Sequence, residues 1–293
     1  MLALIAGEGD LPAAVASTQK TPPLVAALDG FFPDGLSVDP DLVWRVETMG
    51  KLLSNLHARG VTDVCLCGAV RRPSVDITAV DEATKPLIPV MQAALTGKGD
   101  DGVLRAVISI FETAGFKVRA AHEIAPDLLP QPGVLTKMEP PDHAEADAQL
   151  GDLISSEQGR RDLGQACVIR AGRVVAREDE SGTDAMLASL PVNDAAAGGL
   201  PDVMGSIGEL LDTAADWLSG REHVGDGMFF KAPKPGQDRR ADLPVIGPMT
   251  VASVARAGLA GITLAANGVM VLQRDETVVL ADRLGLYIWV RAS

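Results

Sequence analysis

Along the first 120 or so residues, short apolar runs alternate with stretches whose apolar positions repeat at helical spacing. Leu2–Ala6 is one apolar run, ending in Gly7-Glu8-Gly9, and Leu24–Leu28 is a second. Between residues 46 and 60, Met49, Leu52, Leu53 and Leu56 fall at i, i+3, i+4 and i+7, one face of a helix. Gly60 stands where a helix C-cap is expected, and Asp63–Cys67 follows as a buried strand. Leu87, Val90, Met91 and Ala94 mark a further helix. Val103, Val107, Ile110 and Ala114 mark another, closed by Gly115 before Phe116-Lys-Val-Arg. Repeated strand–helix units predict a parallel sheet covered by helices, a Rossmann-like α/β domain over residues 1–135.

The texture changes between residues 127 and 145, where Pro130, Pro132, Gly133, Pro140 and Pro141 crowd together. Such a stretch reads as a proline-rich linker, with the domain boundary near Thr136. Residues 136–293 read as an α+β domain. Ala166-Cys-Val-Ile-Arg and Arg173-Val-Val-Ala-Arg flank Ala171-Gly172, a hairpin signal. Residues 262–266 and 269–272 flank Asn267-Gly268, the strongest short hairpin signal. Helices are expected at 184–190, 207–217, 251–257 and 275–284. The one biased stretch, 193–201, is short and rich in Ala and Gly.

Composition narrows the function classes. The 293 residues carry a formal charge of −13 with 3% aromatics, so the chain is poorly equipped to neutralise phosphates along a nucleic acid or to stack bases. Cys65, Cys67 and Cys167 form no disulfide framework and read as small apolar residues in strands, in keeping with a reducing compartment. The start, Met1-Leu-Ala-Leu-Ile-Ala, lacks the basic segment of a secretory signal. The longest uncharged stretch near the C-terminus is broken by Gly258, Gly261 and Asn267-Gly268, so it does not read as a membrane span.

Candidate chemistry concentrates in a few loops. Glycines at Gly7 and Gly9, after a strand and before a helix, let backbone approach a phosphate at a helix N-terminus; a tight turn without a ligand is the alternative. The third glycine of a dinucleotide fingerprint would fall at Pro12, which argues against that fingerprint. Lys98-Gly99-Asp100-Asp101 opens a helix, and either acid could cap it. In Ser181-Gly182-Thr183-Asp184, Thr183 could cap a helix, and Asp184 could face a metal or phosphate. Residues 231–247 gather Lys231, Lys234, Gln237, Asp238, Arg239, Arg240 and Asp242 among prolines. Cations there suit a bound anion, most simply a phosphate, and the interleaved aspartates suit Mg2+, a hard cation. The bland alternative is a solvated loop, in which Asp238 is a solvated partner of Arg239 or Arg240. The scattered His57, His122, His143 and His223 are not spaced for zinc; solvated or capping roles suit all but His122, which has slightly more functional weight.

Taken in order, these stretches resemble the LpxI-type UDP-2,3-diacylglucosamine pyrophosphatases of lipid A biosynthesis. The resemblance runs through Leu4-Ile-Ala-Gly-Glu-Gly-Asp-Leu-Pro12, Gly68-Ala-Val-Arg-Arg-Pro73, Lys98-Gly-Asp-Asp101, Ala121-His-Glu123 and Asp162-Leu-Gly-Gln165. It continues in Gly182-Thr-Asp-Ala-Met186, Lys231-Ala-Pro-Lys-Pro235, Asp242-Leu-Pro244 and Arg256-Ala-Gly-Leu-Ala-Gly261. Glu8 stands where the family has the middle glycine of G-G-G, and Ser181 where a glutamate commonly precedes G-T-D.

The resemblance implies two domains holding the substrate between them, and metal-dependent hydrolysis of UDP-2,3-diacylglucosamine to lipid X and UMP, with attack at the sugar-side phosphorus. It places the essential acid of the D-L-P element at Asp242. On this reading Asp242 and Asp184 bind Mg2+ (or Mn2+), and Lys231, Lys234 and Arg239 neutralise the pyrophosphate. Thr183 and Gln237 contact substrate, and Gly7 and Gly9 take the nucleotide end. The protein would be cytoplasmic, touch the inner membrane transiently and form a homodimer. Two other classes stay open at this stage: a nucleotide-cofactor (NAD(P)) oxidoreductase and a non-catalytic nucleotide-sugar sensor.

Overall fold

A computed structural model describes residues 1–71, 73–96, 100–190 and 225–292. The helix expected at 207–217, the Ala/Gly stretch at 193–201, His223, Arg72 and Lys98-Gly99 lie outside the described residues. The chain divides into two units, one of Met1–Pro126 with Asp238–Asp242, the other of Asp127–Gln237 with Leu243–Ser293. The first therefore ends nine residues before the boundary expected at 135 and also takes in a turn expected in the second.

The first unit contains a five-stranded sheet: β1 (Leu2–Ala6), β2 (Leu24–Leu28), β3 (Leu42–Trp44), β4 (Asp63–Cys67) and β5 (Lys117–Val118), in the order β3-β2-β1-β4-β5. Every pairing is parallel. Parallel strands with helical crossovers are covered on their faces, which explains why β2 reads as an unbroken buried run. Helices α1 (Leu11–Ser17), α2 (Met49–Ala58), α3 (Ile88–Thr96), α4 (Asp100–Thr113) and α5 (Ala121–Ile124) supply the cover. Helix α2 buries the face read from its spacing, Met49, Leu52, Leu53 and Leu56. Helix α4 turns its expected face to the core, with Ile110 buried and Val107 and Ala114 packed against the cluster, and Ile108 and Phe111 widen that face; Val103 is half-buried. In α3, Val90 is exposed and Met91 makes the contact with the core, together with Leu87 just before the helix. His57 is exposed, as expected, and Nε2 lies 2.8 Å from the Ala114 carbonyl oxygen just past the end of α4; its ring also stacks on Phe116 at 4.3 Å. All three cysteines are buried and form no disulfide, and burial pushes the Cys167 thiol up to about 12.

The second unit is built on a mixed six-stranded sheet. Its strands are β6 (Gly133–Val134), β7 (Ala166–Arg170), β8 (Arg173–Arg177), β9 (Met228–Lys231), β11 (Gly261–Ala265) and β13 (Tyr287–Arg291). The order is β6-β13-β11-β9-β7-β8; a separate pair joins β10 (Val245–Ile246) to β12 (Met270–Val271). Strands β9, β11 and β13 run parallel, with α8 (Pro248–Arg256) and α9 (Arg274–Arg283) between them in sequence, while β6, β7 and β8 add antiparallel margins. The remaining helices are α6 (Ala144–Arg160) and α7 (Gly182–Ala188). The proline-rich stretch is part of this unit. Gly133 and Val134 form an edge strand, where a neighbouring proline interrupts no ladder, and the Leu135 N–H donates to Ile288 O at 2.9 Å.

Alternation along the strands sorts the core onto two faces. Val168, Phe229, Ile262 and Ile288 face one cluster with residues of α7, α8 and α9; Cys167, Ile169, Met228 and Phe230 face another with residues of α6. The hairpin read at Ala171-Gly172 forms, with positive φ at both residues. The hairpin read at Asn267-Gly268 does not. The dipeptide makes a turn, but β11 lies between parallel neighbours, and β12 leaves the sheet to pair in parallel with β10. Gly268 has a different reason to be glycine: a Cβ there would lie 2.5 Å from Pro233 Cδ.

Gly151 in α6 has a similar reason, since a Cβ there would sit 2.5 Å from the buried Phe230 ring. Gly to Ala within a helix is ordinarily favourable by about 1 kcal/mol. Here overlap with a fully buried ring should reverse the sign by at least that amount. Gly151→Ala should therefore lower Tm, and adding Phe230→Leu should recover part of the loss. A raised Tm in the single variant would show that α6 does not pack this closely.

Candidate functional site

Lys231 is the last residue of β9, and it is only 7% exposed. A buried ammonium is tolerated when its protons find acceptors. Its Nζ donates to Thr183 Oγ1 at 3.1 Å and to the Val245 carbonyl oxygen at 3.2 Å. The Thr183 hydroxyl in turn donates to Glu178 Oε1 at 2.7 Å, and Glu178 Oε2 accepts the Gln165 N–H at 2.8 Å. An ammonium, a hydroxyl and a buried carboxylate are thus joined by aligned hydrogen bonds, each polarising the next. Gly164 makes room for the carboxylate's backbone: a Cβ there would lie 2.7 Å from Glu178 O. Gln158 Nε2 secures the same carbonyl at 2.9 Å. Thr183 therefore does not cap α7; it links β9 to the end of β8.

The loop after β9 carries the other predicted residues of this unit. Lys234 Nζ is 2.6 Å from Asp162 Oδ1, and its backbone N–H donates to Gln237 Oε1 at 2.6 Å. Gln237 Nε2 is buried with no partner among the described residues. The amide thus uses its acceptor to close the loop and keeps a donor without a partner among the described residues. Asp184 lies in the first turn of α7 and is exposed.

In the first unit, Gly7 and Gly9 follow β1. The Gly7 N–H donates to Cys67 O at 2.9 Å, and backbone bonds of 2.8 Å join Glu8 and Ala69 in both directions. Gly9 has φ +90. Glu8, in place of a glycine, pairs with Arg71 at 3.0 Å on the surface. Asp242 is half-buried at the end of the turn Asp238–Asp242, its N–H donating to Asp238 O at 3.1 Å. Arg239 is exposed; after burial itself, its charge is the next cause holding the His122 imidazole below its ordinary pKa. His122 Nδ1 is buried without a partner among the described residues. Asp238 departs from expectation. It does pair with Arg240, at 2.7 Å, but its side chain is 11% exposed and is not solvated.

The structure thus joins Lys231 to Thr183 and Lys234 to Gln237, and it sets Arg239 and Asp242 on one turn. Asp184 and Asp242, the expected metal ligands, fall in different units. Among the described residues no three His, Cys, Asp or Glu side chains gather as a metal cage. Mg2+ is commonly held by only one or two carboxylates, completed by substrate phosphates and water, and hard carboxylate oxygens such as theirs are of the right kind. Sequence reasoning missed Glu178, the first of three consecutive acids that precede Ser181-Gly182-Thr183-Asp184. It quoted Asp162 and Gln165 only within a motif, without foreseeing that they hold Lys234 and Glu178.

Residues 1–128 match the family described as LpxI N-terminal domain, and residues 131–289 the LpxI C-terminal domain. The chain is also similar to UDP-2,3-diacylglucosamine pyrophosphatase LpxI of Caulobacter vibrioides. The two are 34% identical over 290 residues, which span 98% of this chain and 96% of that protein.

If Lys231, Thr183 and Glu178 act as one unit, their removal should be non-additive. Thr183→Val and Glu178→Gln should each destabilise by about 1–3 kcal/mol in urea unfolding, the range for stranding a buried polar partner. The double variant should lose clearly less than the sum of the two. Simple additivity would show that the three groups are not coupled.

Proposed function

The chain belongs to the LpxI family, and on that premise we propose that it hydrolyses the phosphoanhydride of UDP-2,3-diacylglucosamine, yielding UMP and 2,3-diacylglucosamine 1-phosphate (lipid X) in lipid A biosynthesis. The observation that carries this reading is the similarity of nearly the whole chain, both domains included, to the Caulobacter vibrioides enzyme. Water attacks the sugar-side phosphorus, the bond from that phosphorus to the bridging oxygen breaks, and the bridging oxygen leaves with UMP. The water oxygen stays in lipid X.

Such a reaction depends on positioning and charge neutralisation more than on covalent chemistry. Asp242 orients the attacking water and accepts its proton. Lys231, Lys234 and Arg239 meet the phosphate oxygens, with Thr183 and the free donor of Gln237 as neutral contacts. Gly7 and Gly9 take the nucleotide end. Mg2+, for which Mn2+ can substitute, would be held by Asp242 and Asp184 together with substrate oxygens. When bound, it supplies the Lewis-acid charge that offsets the developing negative charge. No helix among the described residues is long and apolar enough to cross a membrane. A substrate with two acyl chains accordingly brings the enzyme into transient contact with the cytoplasmic face of the inner membrane. A symmetric homodimer is the assembly we propose, as the commonest closed one.

The test is turnover of UDP-2,3-diacylglucosamine, followed by UMP release. EDTA should abolish activity, and Mg2+ or Mn2+ should restore it; full activity in chelator would remove the metal from the proposal. Asp242→Asn, nearly isosteric, should lower kcat by a factor on the order of 10² or more, with KM and Tm nearly unchanged. Near-normal turnover would take Asp242 out of the mechanism. In 18O-labelled water the label should enter lipid X; label in UMP would move the attack to the other phosphorus.

A further inference from the structure

We infer that Asp238, Arg240 and Glu112 form the positioning device for Asp242, clamping the turn that carries this acid onto helix α4. The inference rests on the role given to Asp242 above.

The turn is closed at its own backbone, since the N–H groups of Ala241 and Asp242 both donate to Asp238 O at 3.1 Å. The Asp238 carboxylate then fixes the residues between. Its Oδ1 accepts the Arg240 backbone N–H at 3.1 Å and Nε at 2.9 Å, while Oδ2 accepts Nη2 at 2.7 Å. This is the two-pronged guanidinium–carboxylate geometry, which fixes direction as well as distance. Exposed ion pairs contribute little; one with this geometry and a carboxylate 11% exposed is the exception. The Arg240 guanidinium holds the Asp238 carboxyl below the usual carboxylate range, in keeping with a permanently ionised anchor.

The clamp reaches α4 at two points. Arg240 Nη1 donates to Glu112 Oε1 at 2.6 Å, and the Asp238 N–H donates to Asp101 Oδ1 at 3.4 Å. Asp101 is itself braced by Arg105 Nε at 2.7 Å. Eleven residues separate the two anchors, roughly 16 Å along a helix axis. Two points that far apart on one rigid element prevent the turn from pivoting. Between them, Ala241 packs against the hydrophobic core of the unit. Beyond Asp242, Leu243 and Pro244 are buried. The acid therefore stands at the end of a clamped turn. An error of about 1 Å in a catalytic group can lower rate on the order of 10²-fold, so this rigidity bears on turnover more than on folding.

Arg240→Met and Asp238→Asn test the inference, with Glu112→Gln as a milder variant that breaks a single, half-exposed link. For Arg240→Met and Asp238→Asn we expect kcat to fall tenfold or more, with KM within about threefold and Tm within a few degrees of the parent. Glu112→Gln should lower kcat about threefold alone and not at all in the Arg240→Met background. Hydrogen exchange at the amides of Ala241 and Asp242 should quicken in Arg240→Met while the strands of the same unit stay protected. Unchanged kcat despite quickened exchange would overturn the inference, as would a loss of activity matched by a collapse of Tm. Should the parent protein fail to turn over UDP-2,3-diacylglucosamine, the proposed function falls. The clamp is then judged by exchange alone: quickening confined to the turn upholds it as a structural clamp, and unchanged protection refutes it.

Discussion

The buried ammonium of Lys231 is the constraint around which the second unit is arranged. A charge with 7% exposure demands acceptors, and those it has come from chain positions far apart: the Thr183 hydroxyl and the Val245 carbonyl oxygen. Each acceptor must then be fixed in turn. Thr183 is fixed by Glu178, and Glu178 by Gln165 and Gln158. Val245 belongs to β10, whose only sheet neighbour among the described residues is β12. The requirement at one nitrogen thus propagates to β8, α7 and the β10–β12 pair. The same requirement leaves a fixed positive charge at the end of a central parallel strand, the end at which ligands of such sheets commonly bind.

This propagation also separates what could be read from the sequence from what could not. Local periodicity was legible wherever one face decides burial, as in Met49, Leu52, Leu53 and Leu56, and so was the turn chemistry of Ala171-Gly172. Asn267-Gly268 misled because its signal has two physical sources. A positive φ at Asn267 makes the turn, but Gly268 is glycine because Pro233 packs against it, and the following strand is taken up by β10. Nothing within ten residues of the dipeptide announces either partner. Helix α4 shows a milder form of the same limit: Ile108 and Phe111 are buried beside the expected Ile110, and the spacing of Val103, Val107, Ile110 and Ala114 did not include them.

The candidate site divides along the same line. Residue types and their loops were readable, because cations, prolines and acids crowd into residues 231–247. Which of them touch was not. Lys231 meets Thr183 across 48 positions, and Arg240 meets Glu112 across 128. The glycines after β1 carry a further lesson. A Cβ at Gly7 would collide with Ala69 O, and one at Gly68 would lie 2.6 Å from Gly7 O, so two crossing backbones already require glycine there. Gly7 is thus explained without a ligand and Gly9 by its positive φ, and the proposed contact of the two with the nucleotide end rests on the family resemblance.

Two aspartates four residues apart illustrate how one loop can serve both fold and chemistry. Asp238 has its carboxylate committed to three N–H groups of Arg240, which leaves it poorly suited to meet substrate and well suited to hold a turn. Asp242, at the other end of that turn, has its backbone fixed by the same residue through Asp238 O. Hydrolysis of an anhydride needs a carboxylate whose direction is set before substrate arrives, because reorienting it during the reaction would add to the barrier. A lone acid on a flexible loop cannot meet that condition. A turn held by one carboxylate and ending in another does, and it gives the two acids different roles in a stretch where composition alone would have made them equivalent.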